Sequence, residues 1–147
     1  MKILIVSPKN KTVFNFRGDL IKDMIAKGNE VYVTGPNRDF EDDIMALGVK
    51  EFLEIPLVKD NTSITGDLAY FRKLCEVMKK VQPQLVFAYT IKPVIYGSLA
   101  ARFCGVKKIY PMVTGLGRVY ASESLKTKVV RIITKILYQM AFKGCPK

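Results

Sequence analysis

At 147 residues the chain is long enough for one domain with its own core, and 49% hydrophobic with 25% charged residues is ordinary globular composition. The formal net charge is +11, which points to an anionic partner: nucleic acid, an anionic lipid surface or a phosphorylated small molecule. There is no histidine, so this chain cannot by itself supply a His base, a His-ligated metal or a Ser–His–Asp triad.

Met1 to Val6 is too short for a signal peptide or a membrane-spanning helix, and no other stretch is expected to span one. Ile3 to Val6 instead predicts a strand buried on both faces. A polar loop is expected over Ser7 to Asn15, then a helix from about Phe16 to Lys27, stopped by Gly28. Val31 to Val33 predicts a second strand, Phe40 to Leu47 a short helix and Phe52 to Ile55 a third strand. Residues 58–66 read as a polar loop. In the helix expected from Asp67 to Val81, Leu68, Phe71, Cys75, Met78 and Val81 recur at spacings of three and four.

The segment from Leu85 to Gly117 holds the densest pattern. Leu85 to Tyr89 predicts a fourth strand that delivers Thr90, Ile91 and Lys92 to its carboxyl end. Pro93 opens a helix over Ile95 to Phe103, Gly105 closes it, and Lys108 to Val113 predicts a fifth strand ending at Thr114-Gly115-Leu116-Gly117. Strand and helix thus alternate through five strands, which predicts an α/β, doubly wound, Rossmann-like domain with a mainly parallel sheet. Ligands of such sheets bind outside the carboxyl ends of the strands.

After Gly117 the chain turns basic, with seven Lys or Arg and one Glu in Arg118 to Lys147. Ser122 or Ser124 can cap a helix running from Leu125 to Phe142. Leu125, Val129, Ile132, Ile133, Ile136, Leu137 and Met140 form one stripe, and Lys128, Arg131 and Lys135 lie off it. Such a stripe usually packs on a core. Its alternative is docking on an anionic membrane surface through the basic edge.

The first loop lacks GxGxxG, and no GxxxxGK[ST] occurs, which argues against an NAD enzyme or an ATPase. Asn15, Phe16 and Arg17 at the expected helix start offer backbone N–H groups, a positive dipole end and an Arg fork for an anion. A capping Asn and a solvated Arg explain the same residues. Lys92 is a second candidate phosphate partner or a plain surface lysine, with Thr90 and Thr114 as the nearest hydroxyls. Gly115 and Gly117 allow close backbone approach to a ligand or simply permit a turn. No nucleic-acid-binding module or interleaved aromatic motif is present. Cys75, Cys104 and Cys145 form no CxxC, so buried thiols in a reducing cytoplasm are expected rather than disulfides or zinc ligands.

Taken together, KILIVS (Lys2–Ser7), FNFR (Phe14–Arg17), YTIKP (Tyr89–Pro93), YGSLAAR (Tyr96–Arg102), TGLG (Thr114–Gly117) and LYQMAFKGC (Leu137–Cys145) carry a family likeness. The chain resembles the amino-terminal half of a family 4 glycosyltransferase of the GT-B type, closest to bacterial enzymes that build capsular polysaccharide, O-antigen and glycan-lipid chains. The resemblance implies an acceptor-binding domain, with a polyprenyl-diphosphate-linked sugar bound at the cytoplasmic membrane surface. A second domain, bearing an acidic E-x-x-x-x-x-x-[DE] element, would hold the nucleotide-sugar, expected to be a UDP-sugar. It further implies retaining transfer, with no cofactor and no DxD-held metal. On the acceptor side it carries over Asn15, Arg17, Thr90, Lys92, Thr114, Gly115 and Gly117. No catalytic residue is carried over: where many relatives have a histidine near the end of the fourth strand, this chain has Phe87-Ala88-Tyr89.

Typical members are more than twice as long. The 147 residues are therefore expected to form a single Rossmann-like domain without the donor-binding domain, inactive alone and prone to self-association. A missing region or a partner subunit would complete the enzyme. The alternative is a non-catalytic membrane-docking subunit of a two-component glycosyltransferase. Either is expected in the cytoplasm, peripheral at the inner face of the cytoplasmic membrane.

Overall fold

The structure is a computed structural model that describes residues 1–57, 64–115 and 123–145. Its centre is strand β1 (Lys2–Val6), where Ile3, Leu4, Ile5 and Val6 are all buried. Successive side chains of a strand point to opposite faces. Ile3 and Ile5 accordingly join Val13, Ile21, Val31, Val33 and Ile44 in one core cluster. Leu4 and Val6 join Leu74, Met78, Val86, Ala88 and Ala100 in the other.

Around β1 the sheet has five parallel strands in the order β3 (Glu51–Glu54), β2 (Glu30–Gly35), β1, β4 (Leu85–Tyr89), β5 (Lys108–Met112). Helices α1 (Asn10–Ala26) and α2 (Glu41–Met45) supply residues to the first cluster, while α3 (Ile64–Val81) and α4 (Ser98–Phe103) supply the second. The sheet is therefore doubly wound. Its order reverses between β1 and β4, and the crevice of such a sheet opens at that point.

Of the polar loop expected over 58–66, residues 64–66 belong to α3, and 58–63 lie outside the described residues. Two further departures bear on the site. Helix α1 begins at Asn10, not near Phe16, because Lys9 is already extended and Ser7 closes the turn ahead of it. Ser7 Oγ accepts from Lys9 N–H at 3.2 Å. The polar residues that suggested a loop have specific partners. Asn10 is buried, and its Nδ2 reaches the carbonyls of Asn37 (2.8 Å) and Asp39 (2.6 Å), tying α1 to the loop after β2. The second departure is a π-helical turn, Pro93–Gly97, ahead of α4. Gly97 lets this turn lie on the sheet, since a Cβ there would sit 3.3 Å from that of Ala88.

Helix α5 (Leu125–Phe142) has the expected bounds, and Ser124 caps it by accepting from Thr127 N–H at 3.2 Å. Ser122 lies outside the described residues. The packing is the reverse of the core role expected for the aliphatic stripe. Only Thr134 and Ala141 are buried in this helix, with Thr127, Val130, Leu137 and Tyr138 half-buried on the same side. Leu125, Val129, Ile132, Ile133, Ile136 and Met140 are exposed, Leu125 at 81%. Small and hydroxyl-bearing residues fit closely against the π-helical turn and α4, so they define the inner face. From α4, Arg102 donates to the carbonyls of Met140, Ala141 (2.9 Å) and Lys143, holding the carboxyl end of α5. No described helix is long and apolar enough to cross a membrane.

All three cysteines are free thiols; Cys75 is buried, and burial, with Cys104 beside it, pushes it up to about 11.

The close fit at the end of β2 predicts a stability effect. A Cβ on Gly35 would lie 1.9 Å from Asn10 Oδ1 and 2.7 Å from Phe52 Cζ. Gly35→Ala is expected to destabilise the fold by about 1–3 kcal/mol through overpacking, read from the urea midpoint. An unchanged midpoint would show that the Asn10 junction yields freely.

Candidate functional site

The carboxyl ends of β1 and β4 bring Ser7 and Tyr89 together at the reversal point. Tyr89 is buried, its hydroxyl donating to Ser7 Oγ at 3.0 Å and lying 2.9 Å from Thr12 Oγ1. Burial raises the phenol's pKa, opposed by the Ser7 and Thr12 bonds and by the charge of Arg17. The hydroxyl therefore stays protonated and ties β4, β1 and α1 into one unit.

Over the ring of Tyr89 lies Arg17, its guanidinium carbon 4.8 Å from the ring centroid. Such stacking is worth about 0.5–2 kcal/mol. Nη1 donates to the Phe16 carbonyl at 3.0 Å, and Nη2 reaches Met112 Sδ at 3.5 Å, at the end of β5. Nε is buried with no acceptor, and no carboxylate among the described residues pairs with this cation. A guanidinium held over an aromatic ring and short of acceptors is suited to an anion.

This corrects the reason for expecting an anion at Arg17. Because α1 starts at Asn10, Asn15 and Arg17 lie in its second turn, where backbone N–H groups are already within the helix. Asn15 is exposed and is not the helix cap, which is Lys9.

Lys92 also differs from expectation. Its ammonium sits 2.9 Å from Asp67 Oδ1, with side chains 19% and 21% exposed. Asp67 lies in the first turn of α3, where a negative charge suits the helix dipole. Its other oxygen accepts from Tyr96 O–H at 2.9 Å. Burial first, then this bond and the carboxylate's charge, push the Tyr96 phenol up, so it remains a donor. Lys92 is thus paired rather than a bare phosphate ligand.

Thr90 stands between these groups with φ 69°, a left-handed conformation unusual for a β-branched residue. Its N–H continues the ladder to the Met112 carbonyl at 3.2 Å, and its carbonyl accepts from Val94 N–H at 2.9 Å. Strain of this kind gathers at functional sites, as do π-helical turns, and here the two adjoin. Thr114 and Gly115 are exposed beyond β5, and a Cβ on Gly115 would meet nothing within 4 Å among the described residues. Gly117 lies outside the described residues.

Ser7, Thr12, Tyr89, Asp67 and Tyr96 were not singled out from the sequence. The available signals were slight: hydroxyl residues flanking two strand ends, and an acid opening α3.

Against known proteins, the family model described as "Glycosyl transferase 4-like" matches residues 2–144. The chain belongs to that family. It is 26% identical over 144 residues to the N,N'-diacetylbacillosaminyl-diphospho-undecaprenol alpha-1,3-N-acetylgalactosaminyltransferase of Campylobacter jejuni, covering 97% of this chain and 38% of that protein. Over 110 residues it is 32% identical to the UDP-Gal:alpha-D-GlcNAc-diphosphoundecaprenol alpha-1,3-galactosyltransferase of Escherichia coli, covering 75% and 26%. The chain thus spans well under half of either relative.

Among solved structures, UDP-GlcNAc 2-epimerase from Neisseria meningitidis bound to UDP-GlcNAc aligns with TM-score 0.62 at 18% identity, over 95% of this chain and 38% of that one. Acinetobacter baumannii MurG aligns with TM-score 0.57 at 15% identity, over 77% and 34%. At these identities the likeness concerns fold. This glycosyl transferase 4-like chain is one Rossmann-like half of a GT-B-type architecture, the amino-terminal one.

The strained residue of the site allows a direct check. Left-handed backbone costs about 1–2 kcal/mol in a residue with a Cβ, while glycine loses roughly 0.5–1 kcal/mol in chain entropy. Thr90→Gly is therefore expected to stabilise the domain by about 0.5–1 kcal/mol in urea unfolding. A lower midpoint would mean that the Thr90 side chain contributes more than the strain removes.

Proposed function

We propose that this chain is the acceptor-binding half of a glycosyltransferase that moves a sugar from a nucleotide-sugar, a UDP-sugar, to a lipid-linked diphosphate acceptor. The observation that carries the reading is the Arg17 guanidinium, stacked on Tyr89 at the sheet's reversal point with a buried Nε that has no acceptor. The names of the Campylobacter jejuni and Escherichia coli relatives put a sugar on a diphosphoundecaprenol carrier, which supplies the anion such a cation fits. The nucleotide-sugar would be held largely by a second domain or partner subunit, so the isolated chain is inactive. No cofactor is required for this role.

The same half docks at the inner face of the cytoplasmic membrane through α5. Its exposed side carries Leu125, Val129, Ile132, Ile133, Ile136 and Met140, turned away from Thr134 and Ala141 by the helical repeat. Lys128 and Lys135 are exposed beside this stripe, and Arg131 is half-buried nearer the domain. Apolar residues entering the interface beside cations facing lipid phosphates match the pattern of an in-plane helix. That exposed face is also what favours the second reading, a docking subunit without catalytic residues, and it leaves the isolated chain prone to self-association.

The test has two arms. Sedimentation with phosphatidylglycerol-containing vesicles should show binding that weakens as salt rises. Lys128→Gln with Lys135→Gln should weaken it roughly 30-fold, at about 1 kcal/mol for each basic residue. Ile132→Asp with Ile136→Asp should abolish it. In parallel, short-chain polyprenyl diphosphate should bind the chain and UDP-sugars should not. Tight UDP-sugar binding without diphosphate or vesicle binding would reverse the assignment to the acceptor side.

A further inference from the structure

Two polar groups flank Thr90, and they differ in charge. On the α1 side, Arg17 presents its positive charge over Tyr89 with no carboxylate partner among the described residues. On the α3 side, Lys92 is offset by Asp67, and Tyr96 donates to the same carboxylate. A diphosphate approaching Lys92 would also meet the charge of Asp67, whose Oδ1 lies 2.9 Å from the ammonium, and the attraction and repulsion largely cancel. A carboxylate offers about four lone-pair sites, and among the described residues each oxygen has one donor, so acceptor capacity remains. Ammonium, carboxylate and phenol together form an electrically neutral, partly exposed set of donors and acceptors. That chemistry suits the hydroxyl groups of a sugar and not an anion.

We infer that the crevice is divided, with Arg17 receiving the diphosphate of the acceptor and the Asp67–Lys92–Tyr96 group receiving hydroxyls of the sugar attached to it. The inference rests on the acceptor reading proposed above and assigns the two parts of that ligand to opposite sides of Thr90. Asp67 is then a specificity residue, and Lys92 a positioning residue that holds its carboxylate.

The experiment titrates the chain with two probes in detergent: a short-chain polyprenyl diphosphate, and the same diphosphate bearing one N-acetylhexosamine. The ratio of their Kd values measures what the sugar adds. Arg17→Gln should weaken both probes by at least tenfold and leave the ratio intact. Asp67→Asn should leave the sugar-free probe within twofold of wild type and bring the ratio close to one. Tyr96→Phe, which keeps the ring and its packing, should lower the ratio part of the way, so the outcome does not hang on Asp67→Asn alone. Thermal unfolding of each variant separates loss of fold from loss of contact. An unchanged ratio in both Asp67→Asn and Tyr96→Phe would overturn the inference. So would Lys92→Met weakening the sugar-free probe as much as Arg17→Gln does. If wild type binds neither diphosphate, the acceptor reading itself fails and the division falls with it.

Discussion

Tyr89 ends the fourth strand with both of its chemistries in use, and the site depends on that. Its hydroxyl ties to Ser7 and lies against Thr12, so the ends of β4 and β1 and the first turn of α1 move together. Its ring face supports Arg17. The bonds that keep the hydroxyl satisfied in a buried place also fix the ring, and the fixed ring sets where the guanidinium lies. A buried phenol without those partners would forfeit roughly 1–3 kcal/mol of desolvation and leave the cation without a platform. Next to it, the left-handed Thr90 and the π-helical turn depart from ideal geometry where a packed sheet edge can hold them.

Helix α5 shows how little of an amphipathic pattern says which face is inward. Its most apolar side is exposed, and the side that packs is built from Thr127, Thr134, Ala141 and the half-buried Tyr138. Arg102 secures that arrangement by satisfying carbonyls at the helix's carboxyl end. Orphan carbonyls there need donors, and a cation also suits that end of the dipole. The exposed aliphatic face is too continuous to be incidental surface.

The fold alone would not separate a transferase from an epimerase, since a solved structure of each kind aligns over nearly all of this chain, 99% and 95%. Function resides in the side chains grafted onto the sheet edge. In the acceptor reading proposed above, those are a cation on an aromatic face and a neutralised carboxylate group, on opposite sides of one strained residue.

The sequence by itself determined the sheet and its winding. Runs such as Ile3–Val6 and Leu85–Tyr89, separated by helical periodicity and punctuated by glycine and proline, leave few topologies once right-handed crossovers are required. It also picked out Thr90 and Lys92, because the topology puts residues just beyond β4 at the sheet's carboxyl edge, and it named Arg17 on a ground the structure corrects, a helix start near Phe16. Only the tertiary structure decided what those residues meet. Asn10 is tied to a loop 27 residues away, and Lys92 is claimed by an acid on a different helix. The inward face of α5 depends on the shape of the π-helical turn and α4 beneath it. Local pattern encodes periodicity and burial, whereas pairing between distant side chains depends on distances that exist only once the chain has folded.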